Sequence, residues 1–307
     1  MTKIAIIGSG PAGIACAKSL VKKAEVTVFD ELSEFGGMLA YGIPEFRLPL
    51  SQIKQNTKQA KSLGIKFVRK KIESIKELLI ENNGEFDFVV IAIGAGDGSK
   101  LGIPGEENEK ILDALDFLKK AKLQGVCLVK DNEKVALIGG GNSAMDAARL
   151  AKHCGADITI IYRRTESEMP AFGNELAEAK KDGVKFDFLK GPISYENSSN
   201  GKIIVNLAVM KLGEKDASGR PKPIDSGERI TQEFDKILLA VGQKNNIDWL
   251  IKDEIKCEWG KIIVNETHQT NNKNVFACGD CVTGAKNIAT ATVEGLNTAK
   301  EILKLIE

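Results

Sequence analysis

The 307-residue sequence contains no apolar run long enough to cross a bilayer; its apolar stretches, such as 88–93, have the length of a strand. No leader of secretory pattern precedes the first strand, so a cytoplasmic protein with no membrane partner is expected. Neither sign of charge dominates. Forty-three Lys and Arg stand against 42 Asp and Glu, a net charge of +1, and no basic stripe interleaves with aromatics, which argues against nucleic acid as a partner. Histidine is nearly absent, with only His153 and His268. The one cysteine pair of redox or metal spacing, Cys278-Gly279-Asp280-Cys281, therefore lacks the further ligands that a zinc or iron–sulfur site needs, and no protein metal site is expected. The six cysteines (Cys16, Cys127, Cys154, Cys257, Cys278 and Cys281) are scattered. In a reducing compartment they are expected as buried small apolar side chains rather than as a disulfide framework.

What is present is a glycine pattern, twice. Gly8-x-Gly10-x-x-Gly13, filled by Ser9, Pro11 and Ala12, follows the apolar strand 3–7 and precedes a helix; the next strand, 26–29, ends at Asp30 and Glu31. Gly139-x-Gly141-x-x-Ala144, filled by Gly140, Asn142 and Ser143, follows the strand 135–138, and its next strand, 158–161, ends near Arg163 and Arg164. In such a unit the first glycine permits the tight turn, the second lets the backbone approach a pyrophosphate, and the helix N-terminus faces the anion. A carboxylate at the end of the second strand accepts from ribose hydroxyls and repels a phosphate, whereas guanidinium groups pair with a 2′-phosphate. The two copies thus point to different nucleotides: FAD at the first, with Asp30 on its ribose, and NADPH at the second, with NADH as a lesser alternative.

The length fits two domains of ordinary size. Residues 1 to about 105 read as an α/β unit with a helix over 51–63 and a strand over 87–93, and Gly102-Ile103-Pro104-Gly105-Glu106-Glu107 reads as a linker. A second α/β unit runs over about 112–189. From 202 to 236 an alternating strand, with Ile203, Val205, Leu207 and Val209 on one face, leads to a polar Gly/Pro turn region, a β-meander appended to the second unit. The last segment, with strands at 236–241, 262–264 and 275–277 and a helix from 288, has no fingerprint and is expected to complete the first unit. The fold class is α/β, with two Rossmann-like domains: a discontinuous FAD domain (1–107 and 236–307) and an NAD(P)H domain (108–235). Two chain crossings between domains would permit a hinge rotation.

Three longer motifs carry a family resemblance over essentially the whole chain: Ile6-Ile7-Gly8-Ser9-Gly10-Pro11-Ala12-Gly13; Gly36-Gly37-Met38-Leu39-Ala40-Tyr41-Gly42-Ile43-Pro44-Glu45-Phe46-Arg47-Leu48-Pro49; and Gly139-Gly140-Gly141-Asn142-Ser143-Ala144-Met145-Asp146. Two more agree, Tyr162-Arg163-Arg164 with Glu168-Met169-Pro170, and Phe276-Ala277-Cys278-Gly279-Asp280 with Val282-Thr283-Gly284. The sequence resembles the two-dinucleotide-binding-domain flavoproteins, and most closely the small subunit of bacterial glutamate synthase. The resemblance implies that Gly36, Gly37, Met38, Leu39 and Arg47 line the flavin site and that Asp280, after Gly279, holds the ribityl chain. It also implies that the helix start at Asn287, Ile288 and Ala289 faces the pyrimidine edge of the isoalloxazine, where negative charge develops on reduction. Gly94 and Gly242, each following a strand, belong to the same cofactor sites. Two departures accompany the resemblance. Family members serving glutamate synthase carry a cysteine-rich iron–sulfur domain ahead of this fingerprint, and after Pro170 many relatives carry an arginine where this chain has Phe172.

The expected chemistry is hydride transfer from NADPH to FAD, then electron transfer to a second acceptor such as a ferredoxin or a separate iron–sulfur subunit; a homo-oligomer is compatible with the chain. No acid–base triad is needed, because the flavin carries the chemistry. Two rivals stand beside this reading. One is a thioredoxin-reductase-like disulfide reductase using Cys278 and Cys281, and the other is a non-catalytic flavoprotein subunit of a larger complex.

Overall fold

The computed structural model describes residues 1–216 and 219–306; Ala217 and Ser218, within the expected turn region, and Glu307 lie outside the described residues. The chain divides into two compact units. The first comprises Met1–Ala40, Glu45–Asp97 and Gln243–Glu307, the second Tyr41–Pro44 and Gly98–Gly242.

The first unit is built on a five-stranded sheet in which Lys66–Arg69, Glu25–Asp30, Lys3–Ile7, Phe88–Ile91 and Val275–Ala277 lie side by side in that order, all parallel. The central strand is apolar on both faces because both are covered, one by helices and the other by Ile72, Ile75, Leu78, Leu79, Ile247 and Ile262, so Ile4, Ala5 and Ile6 are fully buried. On one face the helix Pro11–Leu20 packs through Ala12, Cys16, Ala17 and Leu20. The C-terminal helix Ile288–Ile306 lies against it so closely that a side chain on Gly295 would meet the Ala12 carbonyl. The chain leaves Lys3–Ile7 toward one side of the sheet and later returns to the other, so the loop at Gly8 sits at the point where the strand order reverses, the usual ligand crevice of such sheets.

The second unit has a similar parallel sheet around its own fingerprint strand, but its outer strand precedes that fingerprint instead of following it. Lys185–Phe188, Asp157–Tyr162, Lys134–Ile138, Lys236–Leu239 and Ile111–Asp113 form a parallel sheet, with the Gly139 loop at its reversal point. A three-stranded antiparallel sheet is appended, made of Lys190–Asn197, Ile203–Lys215 and Pro221–Phe234. Its apolar face, with Tyr195, Ile203, Val205, Leu207 and Phe234, packs with Ala136, Ile138 and Ile237 of the parallel sheet.

Several boundaries differ from the sequence reading. The strand over 236–241, assigned there to the first domain, completes the second sheet: Lys236–Leu239 pairs with Lys134–Ile138 on one side and Ile111–Asp113 on the other. The chain therefore passes back at Gly242 rather than at 235. Residues 98–107 also belong to the second unit, because the Tyr195 amide donates to the Pro104 carbonyl at 2.9 Å and Glu106, 5% exposed, accepts from the amides of Leu101 and Gly102. The polar stretch read as a turn region is largely strand, since Met210, Lys211 and Leu212 pair with Asp225, Ile224 and Pro223. No helix among the described residues is long and apolar enough to cross a membrane.

The cysteine expectation also changes. Cys127 and Cys154 form a disulfide, with Cα atoms 6.6 Å apart and 27 positions apart in sequence. The bridge joins the loop after the helix Ala114–Gln124 to the end of the helix Asn142–His153, a pairing that only the packing of these helices creates. Cys16, Cys278 and Cys281 are buried free thiols, as expected, and Cys257 is partly exposed.

Candidate functional site

In both units the first fingerprint glycine has positive φ, +105° at Gly8 and +141° at Gly139, and a side chain there would drive into a carbonyl of the neighbouring strand's end, Ala92 or Ala240. Backbone alone fits these positions. At Gly10 and Gly141 the situation is reversed: a Cβ would meet nothing within 4 Å. These glycines cap their helices with extended backbone, so the first-turn amides, which have no intrahelical acceptors, face open space where an anion fits. Each loop thus has the geometry of an anion cradle at a helix N-terminus. Gly13 packs on the Gly8 carbonyl, Ala144 is buried in the matching place, Pro11 begins the first helix, and Asn142 and Ser143 begin the second.

The strand ends that follow carry opposite charge. Asp30 closes its strand with Oδ2 accepting from the Ser9 amide at 2.8 Å and from the Ser9 hydroxyl at 2.5 Å, while Oδ1 accepts from the Leu32 amide at 2.9 Å. The buried Ser9 oxygen in turn accepts from the Gly36 amide at 2.9 Å, tying the fingerprint to the Gly36-Gly37 loop. Gly37 approaches Gly10 so closely that a Cβ would lie 2.8 Å from the Gly10 Cα. One carboxylate oxygen is therefore committed to the fingerprint loop and the other to the Leu32 amide. Glu31 is exposed at the same edge, Met38 and Leu39 are half-buried in the short helix Met38–Tyr41, and Arg47 is exposed in the loop beyond.

At the second strand end the two arginines part. Arg163 is exposed just past the strand, with its Cβ near Gly191. Arg164, expected to join it on a phosphate, is 3% exposed: its Nε donates to the Pro221 carbonyl at 2.7 Å and its Nη2 to Asp216 Oδ2 at 2.6 Å. Arg164 turns inward because successive residues at a strand end face opposite sides, and its side lies against the long hairpin. It is a structural residue of the second unit. The following segment is stitched to the fingerprint: the Ala171 amide donates to the Gly140 carbonyl at 3.1 Å and the Phe172 amide to Asn142 Oδ1 at 2.9 Å. Tyr162 donates to the Glu168 carbonyl at 2.9 Å, and its ring would stand 2.7 Å from a Cβ on Gly140. Glycine at 140 is required by an aromatic neighbour, a contact no local pattern signals.

Gly94 and Gly242 occupy matching places, two residues beyond Ala92 and Ala240. Gly279 abuts Ala12 of the first fingerprint helix, which brings Asp280 toward the first loop. Burial holds the Asp280 carboxyl above the ordinary carboxylate range, although the Lys286 amide donates to it at 3.3 Å. Asn287 caps the C-terminal helix, accepting from the Thr290 amide at 2.9 Å, and Ile288 and Ala289 are exposed at that helix start. Cys278 and Cys281 are fully buried. Burial pushes the Cys281 thiol up to about 12 and the Cys278 thiol well above its ordinary range, so neither is a ready thiolate.

Two reversal-point loops, each with an open central glycine, define a protein of two dinucleotide-binding domains. The chain belongs to the pyridine nucleotide-disulphide oxidoreductase family, whose model matches residues 2–295. It is similar to the glutamate synthase [NADPH] small chain of Escherichia coli, 32% identical over 99% of this chain and 69% of that protein. It is also similar to the NADP(+)-dependent formate dehydrogenase subunit beta of Moorella thermoacetica, 34% identical over 98% of this chain and 43% of that one. The chain spans about half the length of several curated relatives it matches. In fold it is similar to Mycobacterium tuberculosis FprA in complex with NADPH, with a TM-score of 0.83 at 20% identity over 99% of this chain and 84% of FprA.

Proposed function

We propose that the chain is an FAD-dependent NADPH oxidoreductase of the glutamate synthase small-chain kind, passing electrons from NADPH through FAD to an iron–sulfur protein or partner subunit. The observation that carries this reading is the opposite charge just after the second strand of two otherwise matching units: Asp30, bonded to the first fingerprint loop, in one and the exposed Arg163 in the other. A bound flavin supplies the redox chemistry, accepting two electrons as hydride and releasing them onward. The protein's own work is to bind and orient. The amides at Gly10 and Gly141 receive the two pyrophosphates, Asp30 selects an unphosphorylated ribose, and Arg163 favours a 2′-phosphate by charge-assisted hydrogen bonds. Asp280, following the Gly279 that lies against Ala12, would hold a polar ribityl chain, and the helix start at Ile288 would offer its partial positive end to a reduced flavin. The names of the NADPH- and NADP-dependent relatives support the donor.

A disulfide reductase built on Cys278 and Cys281 is disfavoured, since both thiols are buried and held protonated. The test is anaerobic stopped-flow absorbance of the FAD-loaded chain mixed with NADPH or NADH. Rapid bleaching of the flavin band, faster with NADPH, is the expected result. Bound flavin that neither nucleotide reduces would overturn the assignment and favour a non-catalytic subunit.

A further inference from the structure

Phe172 is an exposed ring where solvent contact is costly. It is 53% exposed, the one aromatic among the large exposed apolar residues described in the second unit. Its backbone is nevertheless anchored to the fingerprint. Its amide is held by Asn142, the first residue of the fingerprint helix, and the preceding Ala171 amide by Gly140 of the fingerprint loop. The helix Gly173–Lys181 begins immediately after it. The same loop contacts Tyr162, and Arg163 follows Tyr162 in the chain. Phe172 is thus tied by its backbone to the fingerprint loop, and Arg163 is exposed one residue past the tyrosine whose ring stands against Gly140 of that loop.

A dinucleotide whose pyrophosphate rests on such a loop runs its adenosine half toward the end of the second strand. The 2′ position of that ribose then meets the Arg163 side, and the adenine lies beyond it, over the returning segment. An anchored, solvent-facing phenyl ring offers a flat apolar surface that matches the π-face of a purine. We propose that Phe172 is the adenine platform of the second site, so that base recognition rests on Phe172 and the choice between NADPH and NADH on Arg163. This rests on the assignment of the second unit to NADPH. It separates two functions that an arginine at this position would merge, since a ring contributes equally to phosphorylated and unphosphorylated nucleotides.

The test is titration calorimetry of the FAD-loaded chain with two nicotinamide-free probes, adenosine 2′,5′-bisphosphate and 5′-ADP. Phe172→Ala is expected to raise Kd for both probes by the same factor, about tenfold. Phe172→Trp should restore binding, and Phe172→Leu, apolar but without a ring, should not. Arg163→Gln should weaken the 2′,5′-bisphosphate alone. Unchanged binding in Phe172→Ala, or loss restricted to the 2′-phosphorylated probe, would overturn the proposal while leaving the NADPH assignment standing. Failure of the unsubstituted chain to bind either probe would overturn the assignment itself. Because the ring is exposed, the variants should melt with the unsubstituted chain, which separates lost stacking from lost structure.

Discussion

Arg164 Nη2 lies 2.6 Å from Asp216 Oδ2, an ion pair that joins the end of the strand Asp157–Tyr162 to the hairpin 52 residues further along the chain. Neighbouring side chains thus divide two duties at one strand end: Arg163 faces solvent and Arg164 clamps the hairpin. Arg164→Met should leave Asp216 and the Pro221 carbonyl without this donor and destabilise the second unit by about 2 to 3 kcal/mol. Urea unfolding measures that cost. The ratio of NADPH to NADH rates should stay constant in Arg164→Met and fall in Arg163→Gln.

The fingerprint glycines should fail in two distinct ways. Gly10→Val places a side chain in open space, so the chain should keep its melting temperature without FAD yet lose FAD binding. Gly8→Val meets the Ala92 carbonyl at a φ of +105°, so it should lower the melting temperature itself. Thermal melts with and without FAD distinguish the two.

Thiol labelling checks the reading of the cysteines. Of the four free thiols, only Cys257 reaches solvent, and burial raises even that one. The native chain should therefore label at one site, slowly, and at four sites once unfolded without reductant. Cys278→Ala with Cys281→Ala should leave flavin reduction by NADPH unchanged.

Reducing the Cys127–Cys154 bridge should destabilise the second unit. By the chain-entropy estimate a closed loop of 27 residues contributes about 3.5 kcal/mol. Unfolding curves with and without a phosphine reductant measure it, and Cys127→Ala should be insensitive to the reductant.

Asp280 governs a pH effect of definite sign. Its folded carboxyl is raised by burial above the unfolded value, so its contribution to stability is fully present below the ordinary aspartate range and lost as pH rises through the folded value. In the FAD-free chain Asp280→Asn should remove that downward slope and be the more stable form at neutral pH. Melting temperatures from pH 4 to 8, in roughly the range where a raised carboxylate titrates, test this.

Much of the site was legible because its requirements are local. A pyrophosphate loop needs glycines at fixed offsets between a strand and a helix, and the polarity of the next strand's end lies about twenty residues on. Gly8, Gly10, Asp30, Gly139, Gly141 and Arg163 all fall within such windows, and the strand Val275–Ala277 lies in the segment expected to complete the first unit and pairs with its sheet. The Gly295 approach to Ala12 left a weaker signal, a glycine inside a long helix.

Composition, glycine spacing and strand periodicity determined that this chain makes two repeated parallel-sheet units with a loop at each reversal point, because those features act between near neighbours in the chain. Only tertiary structure decided that Lys236–Leu239 joins the second sheet, since an apolar strand carries no label for its partner. It also decided that Cys127 meets Cys154 and that Arg164 turns to Asp216 while Arg163 stays in solvent. Those outcomes depend on which faces pack together, and packing is settled by the whole chain rather than by any segment of it.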